Sequence, residues 1–153
     1  MRKNILRYFA VTFVLLAQSA GAAEWQTDYE QAFVTAKAQN KLVLLDFTGS
    51  DWCPPCITLQ KNVFSKPEFE KYARDNLVLV EIDYPRRRRL PEAVRNQNER
   101  LKEQYSIVGK GFPMIVLVDA NKKILGEFYG YNDETPADFI AQLEQFRKTK
   151  RRN

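Results

Sequence analysis

The chain has 153 residues, a formal net charge of +5, no histidine and two cysteines. This length allows one domain with a hydrophobic core of its own, and nothing in the composition indicates disorder. One Cys-x-x-Cys pair without histidine falls short of the four ligands of a structural zinc site, so we expect neither a metal nor another cofactor.

The first 22 residues have the pattern of a secretory signal peptide. Residues 1–7 carry three basic side chains, residues 8–17 are apolar apart from one threonine, and residues 20–22 fit a small-residue cleavage site. The apolar run is about half the ~20 residues that span a bilayer, so a membrane anchor or a buried N-terminal helix are the weaker alternatives. We therefore predict export of a mature domain of residues 23–153, to the periplasm or as a secreted protein. Removal of the leader leaves 21 basic and 19 acidic residues, a net charge of +2.

Helical and strand patterns alternate along the mature chain. Thr27-Asp-Tyr-Glu30 is a capping box that predicts an amphipathic helix ending near Asn40. The apolar run Leu42–Phe47 then predicts a strand that is buried on both faces. A helix begins at or just after Cys53 and reaches about Val63, since prolines are tolerated in a first helical turn.

The second half of the chain continues the alternation. A second capping box, Ser65-Lys-Pro-Glu68, predicts a short helix that ends near Asn76. Residues 77–82 form a second strand, parallel to the first because a helix crosses between them. The further predicted elements are a helix at residues 92–105, an antiparallel hairpin of strands 114–118 and 124–131, and a last helix from Thr135-Pro136 with a basic tail from about Arg147.

The two cysteines, Cys53 and Cys56, are close in the sequence. A disulfide between them closes so small a loop that it removes little entropy from the unfolded chain. Stabilisation is therefore a poor explanation for the pair, and a redox disulfide is the better one.

The order of these elements and two motifs resemble the thioredoxin superfamily over essentially the whole mature chain. The motifs are Trp52-Cys-Pro-Pro-Cys56 at a helix start and Gly111-Phe-Pro113 ahead of a hairpin. The stretch Phe47–Cys53 and the insert Asp83-Tyr-Pro-Arg are similar to exported bacterial thioredoxin-like disulfide-interchange proteins. The resemblance implies an α/β fold, with a central mixed sheet, a C-terminal antiparallel hairpin and helices on both faces.

The resemblance also implies roles for residues of the two motifs. Cys53 matches the exposed attacking cysteine and Cys56 the resolving one, and a thiolate at a helix N-terminus is indeed stabilised by free amides and the helix dipole. The two intervening prolines remove two of those amides. Pro113 matches a cis-proline, with an ordinary proline at a strand start as the alternative. Trp52, Phe112 and Pro113 are expected to shape the substrate site.

Two carboxylates complete the predicted site. Asp46 matches the family's buried carboxylate and interrupts an apolar strand, where burial raises a pKa, so we predict that it accepts a proton from Cys56. The alternative is that Asp46 bonds the amides of the following turn, which is one residue longer than in the common thioredoxin pattern. Glu81 stands where many thioredoxins have a lysine. If it faces Asp46, each carboxylate raises the pKa of the other, and if it points to solvent it has no such effect.

The run Arg86, Arg87, Arg88 and Arg89 is either a solvated face or a docking patch for an acidic partner or a membrane surface. Nucleic acid is not expected, because the run lacks interleaved aromatic residues. We predict a monomeric thiol-disulfide oxidoreductase that acts on protein substrates and exchanges electrons with a further redox partner. The alternative is a binding module or chaperone on the same fold without redox turnover.

Overall fold

A computed structural model of the chain describes residues 23–150. Its elements are β1 (Trp25–Gln26), α1 (Tyr29–Gln39), β2 (Leu42–Thr48), α2 (Pro54–Leu59) continued by a π-helical turn (Gln60–Phe64), α3 (Pro67–Asn76), β3 (Leu77–Asp83), α4 (Glu92–Gln104), β4 (Met114–Val118), β5 (Ile124–Tyr129) and α5 (Pro136–Lys150). The predicted signal peptide lies outside the described residues. The predicted basic tail from Arg147 begins inside α5, where Arg147 pairs with Glu144. No helix in the described part is long and apolar enough to cross a membrane.

The five strands form one mixed sheet in the order β1-β3-β2-β4-β5. β1, β3 and β2 run parallel, while β4 is antiparallel to β2 and β5 is antiparallel to β4. This arrangement confirms the predicted mixed sheet with its C-terminal hairpin. β1 was not predicted, because two residues are too few to show a strand period.

Helices cover both faces of the sheet, as predicted. Successive side chains of β2 point to opposite faces, so Val43 and Leu45 pack with α1 and α4, whereas Leu44 packs with α2, α3 and α5. Both sides of β2 are therefore fully apolar as far as Leu45. The uninterrupted apolar run in the sequence has this physical cause.

The predicted helix caps were placed wrongly. Asp28, not Thr27, caps α1 and accepts a hydrogen bond from an amide of the first turn. Ser65 does not cap α3, whose N-cap is Lys66 without a side-chain bond. The hydroxyl of Ser65 instead donates at 2.8 Å to the carbonyl of Gln60, which also accepts the backbone amide of Ser65 at the end of the π-helical turn.

The carboxyl ends of β2 and β3 meet at one edge of the sheet. The parallel register pairs Asp46 with Glu81 and Thr48 with Asp83, which places all four side chains on the face covered by α2. The turn after Thr48 leads directly into α2. Polar side chains and the cysteine pair are thus brought together at the sheet edge where ligand sites of α/β folds lie.

Candidate active site

Cys53 and Cys56 form a disulfide, with their Cα atoms 5.3 Å apart. Cys53 is the N-cap of α2, and Cys56 lies in its first turn. Both residues are only 4% exposed, so the exposed position implied for Cys53 is wrong for this disulfide form. The backbone of Cys53 is fixed on both sides, since its amide donates to the carbonyl of Gly49 at 2.9 Å and its carbonyl accepts from the amide of Ile57 at 3.1 Å.

The N-terminus of α2 has few free amides. Pro54 and Pro55 occupy its first two positions and carry no N–H group. The amide of Cys56 is therefore the first of the helix that can donate to a thiolate at Cys53. Stabilisation of that thiolate depends on this amide and on the helix dipole.

Trp52 connects the cysteine turn, residues 49–53 between β2 and α2, with two other segments. Its ring covers Gly49 so closely that an added Cβ there would lie 2.5 Å from the indole, so any side chain at this position would force the ring to move. Its indole N–H donates to the carbonyl of Tyr84 at 2.7 Å, and its ring meets that of Phe112 edge-on at 5.9 Å. Phe112 in turn stacks on Tyr84 at 5.2 Å, and the bond between Phe112 and Pro113 is cis, as the resemblance implies.

Asp46 is buried at a cavity that Cys56 also lines. It is 5% exposed and shares a cavity of about 350 Å³ with Cys56 and Glu81. Its Oδ1 atom has no hydrogen-bond partner among the described residues. Burial above all, followed by the negative charges of Glu81 and Asp83, raises the pKa of Asp46 well above its ordinary value.

Glu81 lies beside Asp46 on the neighbouring strand. It is half-buried and lines the same cavity, so it does not simply point away from the site. Burial, then the charge of Asp83, raises the pKa of Glu81, while Arg88 opposes this shift. No group of three or more His, Cys, Asp and Glu side chains in the described part could hold a metal ion.

Asp83, which the sequence analysis missed, holds the turn that Asp46 was alternatively expected to bind. Its two carboxylate oxygens accept from the amide and the hydroxyl of Ser50, at 2.9 and 2.7 Å. Asp83 is buried and forms a salt bridge with Arg88. The sequence did contain a signal for this role. Asp83 directly follows the predicted strand and stands two residues after Glu81, and alternate residues of a strand share a face.

Asp51 is a second missed carboxylate. Its two oxygens accept the backbone amides of Arg86 and Arg87 at 2.9 and 2.8 Å. The hydrogen bond from the Arg86 amide is the largest cause that lowers the pKa of Asp51. The guanidinium of Arg86 lies 3.7 Å from the centre of the Trp52 ring. The run Arg86–Arg89 is therefore attached to the cysteine turn at several points.

Comparisons with known proteins agree with this geometry. A thioredoxin-like family model matches residues 24–120. The Disulfide bond reductase DsbH of Chlamydia pneumoniae is 33% identical over 132 residues, which cover 86% of this chain and 77% of the relative. The structure of a DsbH oxidoreductase matches with a TM-score of 0.77 and 30% identity over 97% of this chain and 95% of the other.

A thioredoxin from Thermus thermophilus shares the fold alone, with a TM-score of 0.62 and 21% identity over 82% of this chain and 87% of the other. The similarity to the DsbH proteins extends over most of both chains, the cysteine pair forms a disulfide at a helix start, and the Phe112–Pro113 bond is cis. The chain belongs to the thioredoxin-like family and is a thiol-disulfide oxidoreductase within it.

Proposed function

We propose that this protein is a disulfide bond reductase for exported proteins, with Cys53 as the nucleophile and Cys56 as the resolving cysteine. The observation that carries the proposal is the Cys53–Cys56 disulfide at the start of α2, in a chain 33% identical to a protein named Disulfide bond reductase. The name of that relative supports the direction of electron flow. The position of Cys53 at the helix N-cap supports the order of the two cysteines.

The reaction exchanges one disulfide for another. The Cys53 thiolate attacks one sulfur of the substrate disulfide, whose other sulfur leaves as a thiolate and takes up a proton. Cys56 then loses its proton and attacks the Cys53 sulfur of the mixed disulfide, which releases the second substrate thiol. The substrate gains two electrons and the protein ends with the Cys53–Cys56 disulfide. A dithiol partner must reduce this disulfide before the next turnover.

Asp46 is the proposed acceptor for the proton of Cys56. Two observations support this role: both residues line one cavity, and burial raises the pKa of Asp46 well above its ordinary value, which makes its carboxylate a better proton acceptor. Glu81 is the proposed second carboxylate. It raises the pKa of Asp46 and lines the same cavity.

Trp52, Phe112 and Pro113 are the proposed substrate-binding residues. The half-buried rings of Trp52 and Phe112 meet edge-on, Trp52 directly precedes Cys53, and Pro113 directly precedes β4. A substrate segment lying along this backbone would bring its disulfide to Cys53.

Export, oligomeric state and the arginine run are part of the proposal too. The charge and hydropathy pattern of residues 1–22 supports a signal peptide and delivery to the periplasm. We expect the working form to be a monomer and Arg86–Arg89 to face an acidic partner or a membrane surface. Intact-mass measurement of the exported protein should give a chain that begins at Ala23 or Glu24, and retention of residues 1–22 would contradict this.

Reduction of insulin by dithiothreitol, with and without the purified mature protein, tests the function. A reductase accelerates the reaction, and its Cys53→Ser variant does not. A binding module or chaperone without redox turnover would leave the rate unchanged. Equilibration with glutathione should then give a reduction potential near the values of about −200 to −270 mV found for thiol reductases, rather than about −120 mV as for a strong oxidase.

A further inference from the structure

A groove of about 310 Å³ lies beside the active-site turn, between the end of β3 and α4. Four arginines line it, namely Arg86, Arg88, Arg89 and Arg95. The groove shares no lining residue with the cavity that contains Asp46. Its volume is at the lower end of the range of small-ligand sites, enough for one or two side chains.

The positive charge of the groove is only partly neutralised. Of the two carboxylates that line it, Asp83 is bound by Arg88 and by Ser50, and Glu99 is exposed on α4. Among residues 23–148, no carboxylate lies within salt-bridge distance of Arg89 or Arg95. The groove therefore has unpaired guanidinium groups to offer an anion.

The backbone that carries these arginines is held in place. Asp51 accepts both backbone amides of Arg86 and Arg87, and the guanidinium of Arg86 lies on the ring of Trp52. The amide of Tyr84 donates to the carbonyl at the end of β2 at 2.9 Å. A merely solvated charge run needs no such attachments. An ordered binding surface loses less conformational entropy when a partner binds.

The groove adjoins the proposed substrate site. Trp52 precedes Cys53 in the chain and contacts both Phe112 and Arg86. Tyr84 lines the groove and stacks on Phe112. A polypeptide lying over Trp52 and Phe112 would thus place neighbouring side chains over the arginines.

We propose that the groove binds an acidic side chain of the substrate polypeptide, a few residues from the cysteine that Cys53 attacks. The inference rests on the proposed reductase function and names its substrate class, which is proteins with aspartate or glutamate near the disulfide. A guanidinium suits this ligand because its planar N–H groups match the two oxygens of a carboxylate. Exposed charges of this kind act mainly on the association rate and on its salt dependence.

Two disulfide-bridged peptides that differ only in aspartate or asparagine a few residues from one cysteine test the proposal. We expect the mature protein to have a kcat/KM about three- to tenfold higher for the acidic peptide at low ionic strength, the size typical of a few exposed ion pairs. This ratio should shrink at about 0.5 M salt, where such pairs are screened. It should fall toward one in the double variant Arg89→Gln/Arg95→Gln.

Lys37→Gln/Lys148→Gln is the matched control, because it removes the same charge from exposed side chains elsewhere. Lys37 lies in the last turn of α1, just before β2 begins, and Lys148 follows Arg147, which bonds Asn76 at the end of α3. Both lysines are therefore at the opposite end of the parallel strands from the cysteines. The control should keep the preference for the acidic peptide.

The outcomes separate the inference from the function on which it rests. Equal kcat/KM for the two peptides, or the same loss of preference in the lysine control, would overturn the inference and leave the reductase function in place. Reduction of neither peptide would overturn both. Arginine-dependent sedimentation with phosphatidylglycerol vesicles, without any preference between peptides, would make a membrane surface the partner and overturn the acidic-peptide proposal.

Discussion

Two aspartates near the cysteine pair, Asp46 and Asp51, lie in opposite environments. In the cavity behind Cys56, the carboxylate of Asp46 is buried and one of its oxygens has no hydrogen-bond partner among the described residues. On the outer side of the turn, Asp51 accepts two backbone amides. The pKa of Asp46 is raised, chiefly by burial, whereas the pKa of Asp51 is lowered, chiefly by the amide of Arg86.

The difference shows how the environment divides work between identical side chains. A carboxylate without donors in a buried site favours its protonated form and is suited to proton transfer. A carboxylate that accepts two amides stays ionised and fixes the backbone. Five residues apart in the chain, one aspartate is thus in an environment that suits proton transfer and the other holds the backbone at Arg86 and Arg87.

The largest effect is expected when either of the two cysteines is replaced. Cys56→Ser should accumulate mixed disulfides with substrate proteins, because Cys53 still attacks but nothing resolves the intermediate. Cys53→Ser should trap none. Non-reducing electrophoresis with mass spectrometry measures the trapped species. Equal trapping by the two variants, or by neither, would reverse or remove the assigned roles.

Asp46→Asn keeps the shape of the buried carboxylate and removes the proton acceptor. Resolution of the mixed disulfide should slow by about 10²–10⁴-fold, the usual contribution of a general base, while attack by Cys53 changes less. The deficit should be greatest above the pKa of Asp46, where the parent carboxylate is ionised. Stopped-flow rates from pH 6 to 8 measure both steps. If the variant resolves as fast as the parent throughout, Asp46 is a packing residue.

Asp46→Asn should also change how the free energy of unfolding depends on pH. Because the folded pKa of Asp46 is raised, the free energy of unfolding of the parent falls as pH rises from about 3.9, the ordinary aspartate value, to the folded pKa. Asp46→Asn lacks this loss, so its free energy of unfolding relative to that of the parent should rise by about 1.4 kcal/mol for each unit of pKa difference. Denaturant unfolding at several pH values measures the gain. Asp75→Asn, at an exposed site on α3, should show none.

Glu81→Gln tests whether the two carboxylates of the cavity interact. Loss of the neighbouring negative charge should lower the pKa of Asp46 and move the inflection of the pH-rate profile for resolution to lower pH. Glu103→Gln, at an exposed position of α4, is the control and should leave the inflection in place. An unchanged profile in Glu81→Gln would show that Asp46 titrates independently of its neighbour.

The smallest effect is expected on the outer side of the turn. Asp51→Ala removes the acceptor of the Arg86 and Arg87 amides, so hydrogen exchange at these two amides should become faster while the sheet amides keep their protection. The sign of the pH dependence is opposite to that of Asp46. Since the folded pKa of Asp51 is lowered, its contribution to the free energy of unfolding is present above about pH 3.9 and is lost as the pH falls through the folded pKa. Unchanged exchange at both amides would mean that Arg86 and Trp52 alone hold the segment.

Local sequence signals were enough to predict most of the fold. The apolar runs at Leu42 and Leu77 indicate strands buried on both faces, and their spacing requires a helical crossover, which makes them parallel. The Trp52–Cys56 motif and Pro113 identify the family, and the family implies the hairpin and the cis bond. The caps of α1 and α3 were misplaced because several adjacent residues can cap a helix and only the packed chain selects one.

The relation between separate segments was decided by the tertiary structure. The sequence shows that Asp46 interrupts an apolar strand, but only the β2–β3 register places Glu81 beside it and Asp83 against the turn. It shows four consecutive arginines, but only the folded chain attaches them to Asp51 and Trp52. Hydrophobic periodicity is a local property of the chain, whereas the pKa of a carboxylate and the partners of a charge depend on groups that folding brings from distant positions.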